Sequence, residues 1–381
     1  MSKSRLMLQL IVILLLSILL TGCWDYRELS DLAIVAGVAI DLADEPGKVI
    51  ITSQVIKPGE FTNAGEGAYI NVGAPGYTPF ESVRFATTEF DRRLYFSHAK
   101  VMIISQELAE QQDIRPFLDF FARDVEPRDD MNVLIAAGKA KDLLEVKPNM
   151  EQVPALGLAE LVITCQATGQ VCVRKFSEFI QMLTNKTTAA HATYAEVYEE
   201  KGQKKPRYVG SAVFKEGKMV GTLDKAQTRG MLFVTNRVKG GIIVVDAPGG
   251  GKASLEIIDS RTKVTPQVKD DQISIKIEVV ITSNLGGTTG FTDLTTPLFM
   301  ASLRRRQAAV VRSEIMQAVE QAKEWKADFL KFNEVVYRKF PREWKKLEPR
   351  WDEVFPNIDV QIEVKSEVRL SGLTTNPVRP L

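Results

Sequence analysis

Residues 311–336, VRSEIMQAVEQAKEWKADFLKFNEVV, carry the periodic signal that decides the architecture of the C-terminal half. Val311, Ile315, Ala318, Ala322, Trp325, Phe329, Phe332 and Val336 step by four and three in turn, the spacing that puts an apolar stripe on one side of a helix. Arg312, Glu314, Gln317, Glu320, Lys323 and Glu324 fall off that stripe. The pattern predicts one long amphipathic helix with its stripe packed on a β-sheet and its polar face toward water or a partner.

The strands for that sheet lie on either side. Upstream, 208–214, the turn Lys215-Glu216-Gly217-Lys218, and 219–223, 241–245, 253–258 and 273–281 read as strands and hairpins. Downstream, after Pro341, Trp344, Trp351 and Pro356, the alternation of Ile358, Val360, Ile362 and Val364 predicts a terminal strand. Residues 372–381 read as a frayed end. The polar stretch 184–206, closing on Gly202-Gln203-Lys204-Lys205-Pro206, reads as a domain boundary. Residues 206–381 are therefore expected to form a β-rich α+β domain carrying the long helix.

Toward the N-terminus, apolar runs at 33–41 and 48–56 flank the turn Asp44-Glu45-Pro46-Gly47 and predict a strand pair. Residues 57–79, rich in Gly and Pro, read as a loop, and 80–94 as a helix. Then 100–104 reads as strand, 115–122 as helix, 132–137 as strand, and 154–182 as two helical pieces around a loop holding Cys165 and Cys172. This alternation predicts an α/β region over 23–205, with a subdivision near residue 150. The fold class expected overall is α+β and multi-domain, with β-sheets flanked by helices.

The first 22 residues read differently from the rest. Lys3 and Arg5 precede an apolar run at 10–20 broken only by Ser17, and Leu20-Thr21-Gly22-Cys23 follows at once. A cationic start, a short apolar stretch and small residues before a cut form a secretory signal peptide, and the run is too short to span a bilayer comfortably. The cysteine directly after the small residues marks a bacterial lipoprotein site. Its thiol takes a diacylglyceryl group, and two acyl chains hold a protein on a membrane where one chain binds only reversibly. Cys23 is thus the predicted lipidation site and the first residue of the mature chain, with the folded body outside the cytoplasm.

Composition excludes more than it assigns. Lys and Arg number 49 against 48 Asp and Glu, and losing Lys3 and Arg5 with the leader leaves a balance near neutral, which gives nucleic acid no basic surface to grip. Cys165 and Cys172 lie where disulfides are permitted, and a bridge or two buried thiols both remain open. With no histidine near, they do not supply the four ligands of a structural zinc, and no metal or cofactor is expected. Catalytic constellations are poor: neither His98 nor His191 has a convincing serine or cysteine partner near in sequence. Ser97-His98-Ala99-Lys100 has the Ser-x-x-Lys spacing, but a strand-like run follows it and Lys-Thr-Gly is missing. Gly249-Gly250-Gly251-Lys252 lacks the first glycine and the Ser or Thr of a phosphate loop and reads as a hairpin. The cluster from Arg123 to Asp130 interleaves arginines with carboxylates and reads as a solvated ion-pair network. The aromatics among the basic residues of 323–350 sit at core spacing.

One resemblance is specific. Cys23-Trp24-Asp25-Tyr26-Arg27-Glu28-Leu29, followed by Ala33-Ile34-Val35-Ala36-Gly37-Val38-Ala39-Ile40-Asp41, resembles the mature N-terminus of the Ger(x)C family, the lipoprotein C subunits of spore germinant receptors. The blocks at 92–100 and 123–128, Ala327-Asp328-Phe329-Leu330 and Phe340-Pro341-Arg342-Glu343-Trp344 resemble that family's blocks in the same order. The Cys165/Cys172 pair is a departure from it. The resemblance implies sheets flanked by helices in three domains, and a lipid anchor on the outer face of the cytoplasmic membrane, which is the spore inner membrane. It also implies a non-enzymatic role in germination beside two integral membrane partners, the A and B receptor subunits, and leaves direct contact with a small molecule open. The alternative in the same compartment is a solute-binding lipoprotein of a transporter, which would need a cleft between two similar α/β lobes.

Overall fold

The computed structural model describes residues 3–19, 28–57, 67–88, 90–124, 126–269, 272–289 and 296–370. Helix α1 (Lys3–Leu19) comes first. A nine-stranded sheet follows, built from β1 (Leu32–Leu42), β2 (Val49–Ile56), β3 (Tyr69–Gly76), β4 (Arg93–Tyr95), β5 (Val101–Ser105), β6 (Asn132–Ala136), β7 (Ala190–Glu200), β8 (Gln203–Lys215) and β9 (Lys218–Leu223). Its order is β3-β2-β1-β5-β6-β7-β8-β9, with β4 on the first residues of β1. The centre, β1-β5-β6-β7, is parallel, and antiparallel strands complete both wings.

Parallel strands covered on both faces read as continuous apolar runs, and β1 is such a run. Val35, Val38 and Ile40 face one core, while Ala36 and Ala39 face another. The first face is covered by α2 (Pro79–Ala86), α3 (Gln106–Gln111), α4 (Arg115–Arg123) and, later in the chain, α7 (Phe176–Thr184). The second is covered by α5 (Ala140–Glu145) and α6 (Pro154–Cys165).

After β9 the chain enters α8 (Lys225–Val234) and then a second sheet of β10 (Ile242–Asp246), β11 (Lys252–Lys269), β12 (Gln272–Thr288) and β13 (Asp359–Leu370), in that order. Between β12 and β13 run α9 (Pro297–Glu324), α10 (Phe332–Lys339) and α11 (Pro341–Leu347). Ile275, Ile277, Val279 and Ile281 of β12 share one core with Leu303, Val311, Ile315 and Ala318 of α9. The terminal strand expected from Ile358 onward is β13, parallel to β12. The α+β class with sheets flanked by helices is what the chain adopts.

Four expectations need correction. The long helix exists, but it begins at Pro297, where the Thr296 hydroxyl accepts the Phe299 N–H at 3.3 Å, and it stops at Glu324. A break with Lys326 and Lys331 at φ of 49° and 63° precedes α10. Ala327, Phe329, Leu330 and Phe332 are all buried through the break, so the apolar spacing continues where the helix does not. The loop read over 57–79 contains β3, an edge strand. There a proline such as Pro75 is tolerated because its nitrogen has no inner neighbour to serve. The helix read over 80–94 ends at Ala86, and Arg93–Tyr95 turns into β4, paired with Leu32, Ala33 and Ile34. The stretch 184–206 is largely the hairpin β7–β8, tied by Arg207 to Glu196 and by Lys205 to Glu200 at 2.7 Å. The expected boundary at 205/206 therefore falls within β8.

Candidate functional site

Cys23 lies outside the described residues. The described chain resumes at Glu28, makes a short turn over Leu29–Asp31 and enters β1 at Leu32. No helix among the described residues, α1 included, is long and apolar enough to cross a membrane.

The other residues singled out by sequence take structural posts. The Ser97 hydroxyl donates to the Glu126 carbonyl at 2.8 Å and Arg93 pairs with the Glu126 carboxylate at 2.6 Å, which joins the blocks 92–100 and 123–128. His98 is exposed beside the Tyr95 ring. Arg123 pairs with Asp119 and Arg128 with Asp130 on the surface, as a solvated network would. Gly249, Gly250 and Gly251 all have φ between 80° and 106° and turn β10 into β11, a left-handed run that only glycine adopts freely. Cys165 is half-buried and Cys172 buried, both as free thiols, and burial raises the pKa of each.

Side chains of opposite charge converge instead at the seam between the two sheets, on α7, the α8–β10 loop and the start of α10. Arg174 is the centre. Its side chain is 1% exposed, and Nε donates to Nε2 of the fully buried His191 at 3.1 Å. The His191 Nδ1 faces the Ala189 carbonyl at 3.4 Å. Burial, and then the Arg174 charge, hold the His191 pKa well below its ordinary value, so the imidazole is neutral and its Nε2 accepts. Glu178, one turn into α7, pairs with Arg237 at 3.1 Å, and the same carboxylate oxygen stands 3.6 Å from Arg174. Lys331 pairs with Glu334 at 2.7 Å on the far wall.

Two adjoining clefts, of about 260 Å³ and 220 Å³, open on either side of the Glu178–Arg237 pair, and Arg174 lines both. Sequence reasoning noted His191 but missed Arg174, Glu178 and Arg237. Their ranges gave no signal, because the three meet only when α7 and the chain after α8 are brought together by the fold.

A second tie crosses the seam nearby. The Asp328 carboxylate accepts the Phe332 and Asn333 N–H groups at 3.0 and 2.7 Å and so caps α10. Its carbonyl accepts the Ala189 N–H at 3.1 Å, and the Asn333 amide donates to the Thr187 and Thr188 hydroxyls at 2.8 Å. The Asp328 block thus fastens the C-terminal body to the chain entering β7.

These posts can be set beside known proteins. Residues 25–197 match the family described as spore germination protein N-terminal domain, and 209–372 the family described as spore germination B3/GerAC like, C-terminal. The chain is 26% identical to spore germination protein KC of Bacillus subtilis, over 97% of each chain. It is 24% identical to spore germination protein B3 of the same organism, over 92% of this chain and 94% of that one. The crystal structure of the GerBC protein superposes with a TM-score of 0.60 at 21% identity, covering 90% of this chain and 99% of that one. With both halves matched and the fold shared over 90% of the chain, the chain belongs to the Ger(x)C family of spore germination proteins.

Proposed function

We propose that this chain is the lipid-anchored, non-enzymatic subunit of a spore nutrient germinant receptor, held through Cys23 on the outer face of the spore inner membrane beside integral A and B subunits. The observation that carries the reading is Cys23 itself, directly after a short apolar leader, in a chain that matches named spore germination proteins over nearly its whole length. Anchoring confines the folded body to a thin layer above the bilayer. Effective concentration then lets modest contacts with the membrane partners suffice. The solute-binding alternative gains no support, since the two sheets differ in strand number and order and do not make paired lobes.

Replacing the thiol tests the reading. Cys23→Ala is expected to move the protein from the membrane fraction to the soluble fraction and to reduce the germination response to nutrients. Unchanged fractionation with normal germination would overturn it.

A further inference from the structure

We infer that the seam clefts around Arg174 form a binding site for a small oxyanion, a carboxylate or a phosphate group. The inference is independent of whether Cys23 is acylated. It begins from the state of Arg174, a guanidinium with 1% of its side chain exposed. A buried charge is stable only when paired and hydrogen-bonded. The groups in reach of Arg174 pair it only loosely, and the one carboxylate among them is shared with Arg237. His191 is a neutral acceptor, the Val173 carbonyl is 3.4 Å away, and Glu178 is 3.6 Å away with its oxygens already given to Arg237 at 3.1 and 3.4 Å.

Counting charges around the clefts points the same way. Arg237 is matched by Glu178 and Lys331 by Glu334, so two of the positive charges lining the clefts are left over, that of the buried Arg174 and that of Lys239 at the smaller cleft. Guanidinium groups bind carboxylate and phosphate oxygens through paired N–H donors, and do so more strongly where water is excluded. Arg174 and Arg237 both line both clefts, so an anion entering either one meets the half-exposed Arg237 directly, with the charge of the buried Arg174 just behind it. Gln181, Asn185 and Thr188 add side-chain polar groups to the larger cleft, and its volume of about 260 Å³ suits a molecule of a few heavy atoms. Because α7 supplies Glu178 and the chain between α8 and β10 supplies Arg237, an anion held here would draw the two bodies together across the seam.

The test is calorimetric titration of the full-length chain in detergent and low-salt buffer, with sodium acetate and separately with sodium phosphate. Saturable binding of either anion is expected, and which one binds identifies the ligand chemistry. Arg237→Gln should weaken it by about tenfold, the loss of one charge-assisted contact. Glu178→Gln should tighten it, because the competing carboxylate is gone. These two substitutions sit at the half-exposed rim and spare the buried Arg174–His191 contact, and circular dichroism of each variant establishes that it folds before it is titrated. Arg174→Met should abolish binding where it folds. Failure of both anions to saturate, or equal binding by the parent, Arg237→Gln and Glu178→Gln, would overturn the assignment.

Discussion

Asp328 is a carboxylate with almost no water around it, 2% exposed and enclosed by the α9–α10 break and the chain entering β7. Burial raises its pKa from 3.8 to about 7, against the pull of the N–H groups of Asn333 and Phe332, and Glu334 adds to the rise. An acid whose folded pKa is raised keeps its proton in the folded state over the window from about 4 to about 7, while the unfolded chain has released it. Unfolding in that window liberates a proton, so stability falls as pH rises through it and levels off above. The contribution is on the order of a few kcal/mol. Asp328→Asn keeps one oxygen to accept an N–H and has no proton to exchange. Between about pH 5 and pH 8 the urea midpoint of the parent is therefore expected to fall more than that of Asp328→Asn. Asp41, also raised by burial, acts equally in both proteins and cancels. Equal falls would return Asp328 to an ordinary acidity.

At the scale of elements, α8 is fixed on α9 by an ion pair. Arg229 meets the Glu314 carboxylate through Nε at 2.8 Å and through Nη2, both side chains are 7% exposed, and Nη1 donates to the Ile242 carbonyl at 3.0 Å. Removing one partner strands a buried charge, so Arg229→Met is expected to lower unfolding free energy by about 3–5 kcal/mol. Joint replacement, Arg229→Met with Glu314→Leu, should regain most of that loss. A double-mutant cycle by chemical denaturation checks both, and additive losses would contradict the pairing. Neither α8 nor this pair was legible in the sequence. Residues Thr228 to Val234 are all buried, so α8 has no polar face to give it a period, and its one local signal, the Asp224 and Gln227 capping box, went unread. Strands β1, β2, β5, β6 and β13 were legible because their apolar runs or alternation match the pleat. The break at 325–331 was hidden for the opposite reason, since Trp325, Phe329 and Phe332 keep helical spacing while packing from an irregular chain. The seam site was illegible because Arg174, Glu178 and Arg237 are brought together only by tertiary folding.

For the whole molecule, the question is whether the two sheets are separate folding units. The core of the second sheet includes Cys172, Ala189, Val213 and Leu223, residues from the first sheet and its connections. The Trp325 indole lies against Gly221 of β9 so closely that a Cβ there would come within 2.4 Å of the ring, and Lys215 of β8 reaches Asp352 at 2.8 Å. Asn333, with its bonds to Thr187 and Thr188, closes the same seam from α10. A fragment starting at residue 206 begins inside β8. It loses β7, the hairpin partner that pairs with β8 along most of its length, and leaves β8 and β9 as a two-stranded ribbon held only by its contacts with the C-terminal body. It also removes Cys172 and Ala189 from the second core and uncovers Ala212, Phe214 and Met219, whose core partners lie in the deleted part. The fragment 206–370 is therefore expected to show no cooperative thermal transition, while the whole chain unfolds in a single one. Circular dichroism of both, followed on heating, decides the matter: a sharp transition in the fragment would mean that the C-terminal body stands alone and that the seam joins two finished domains.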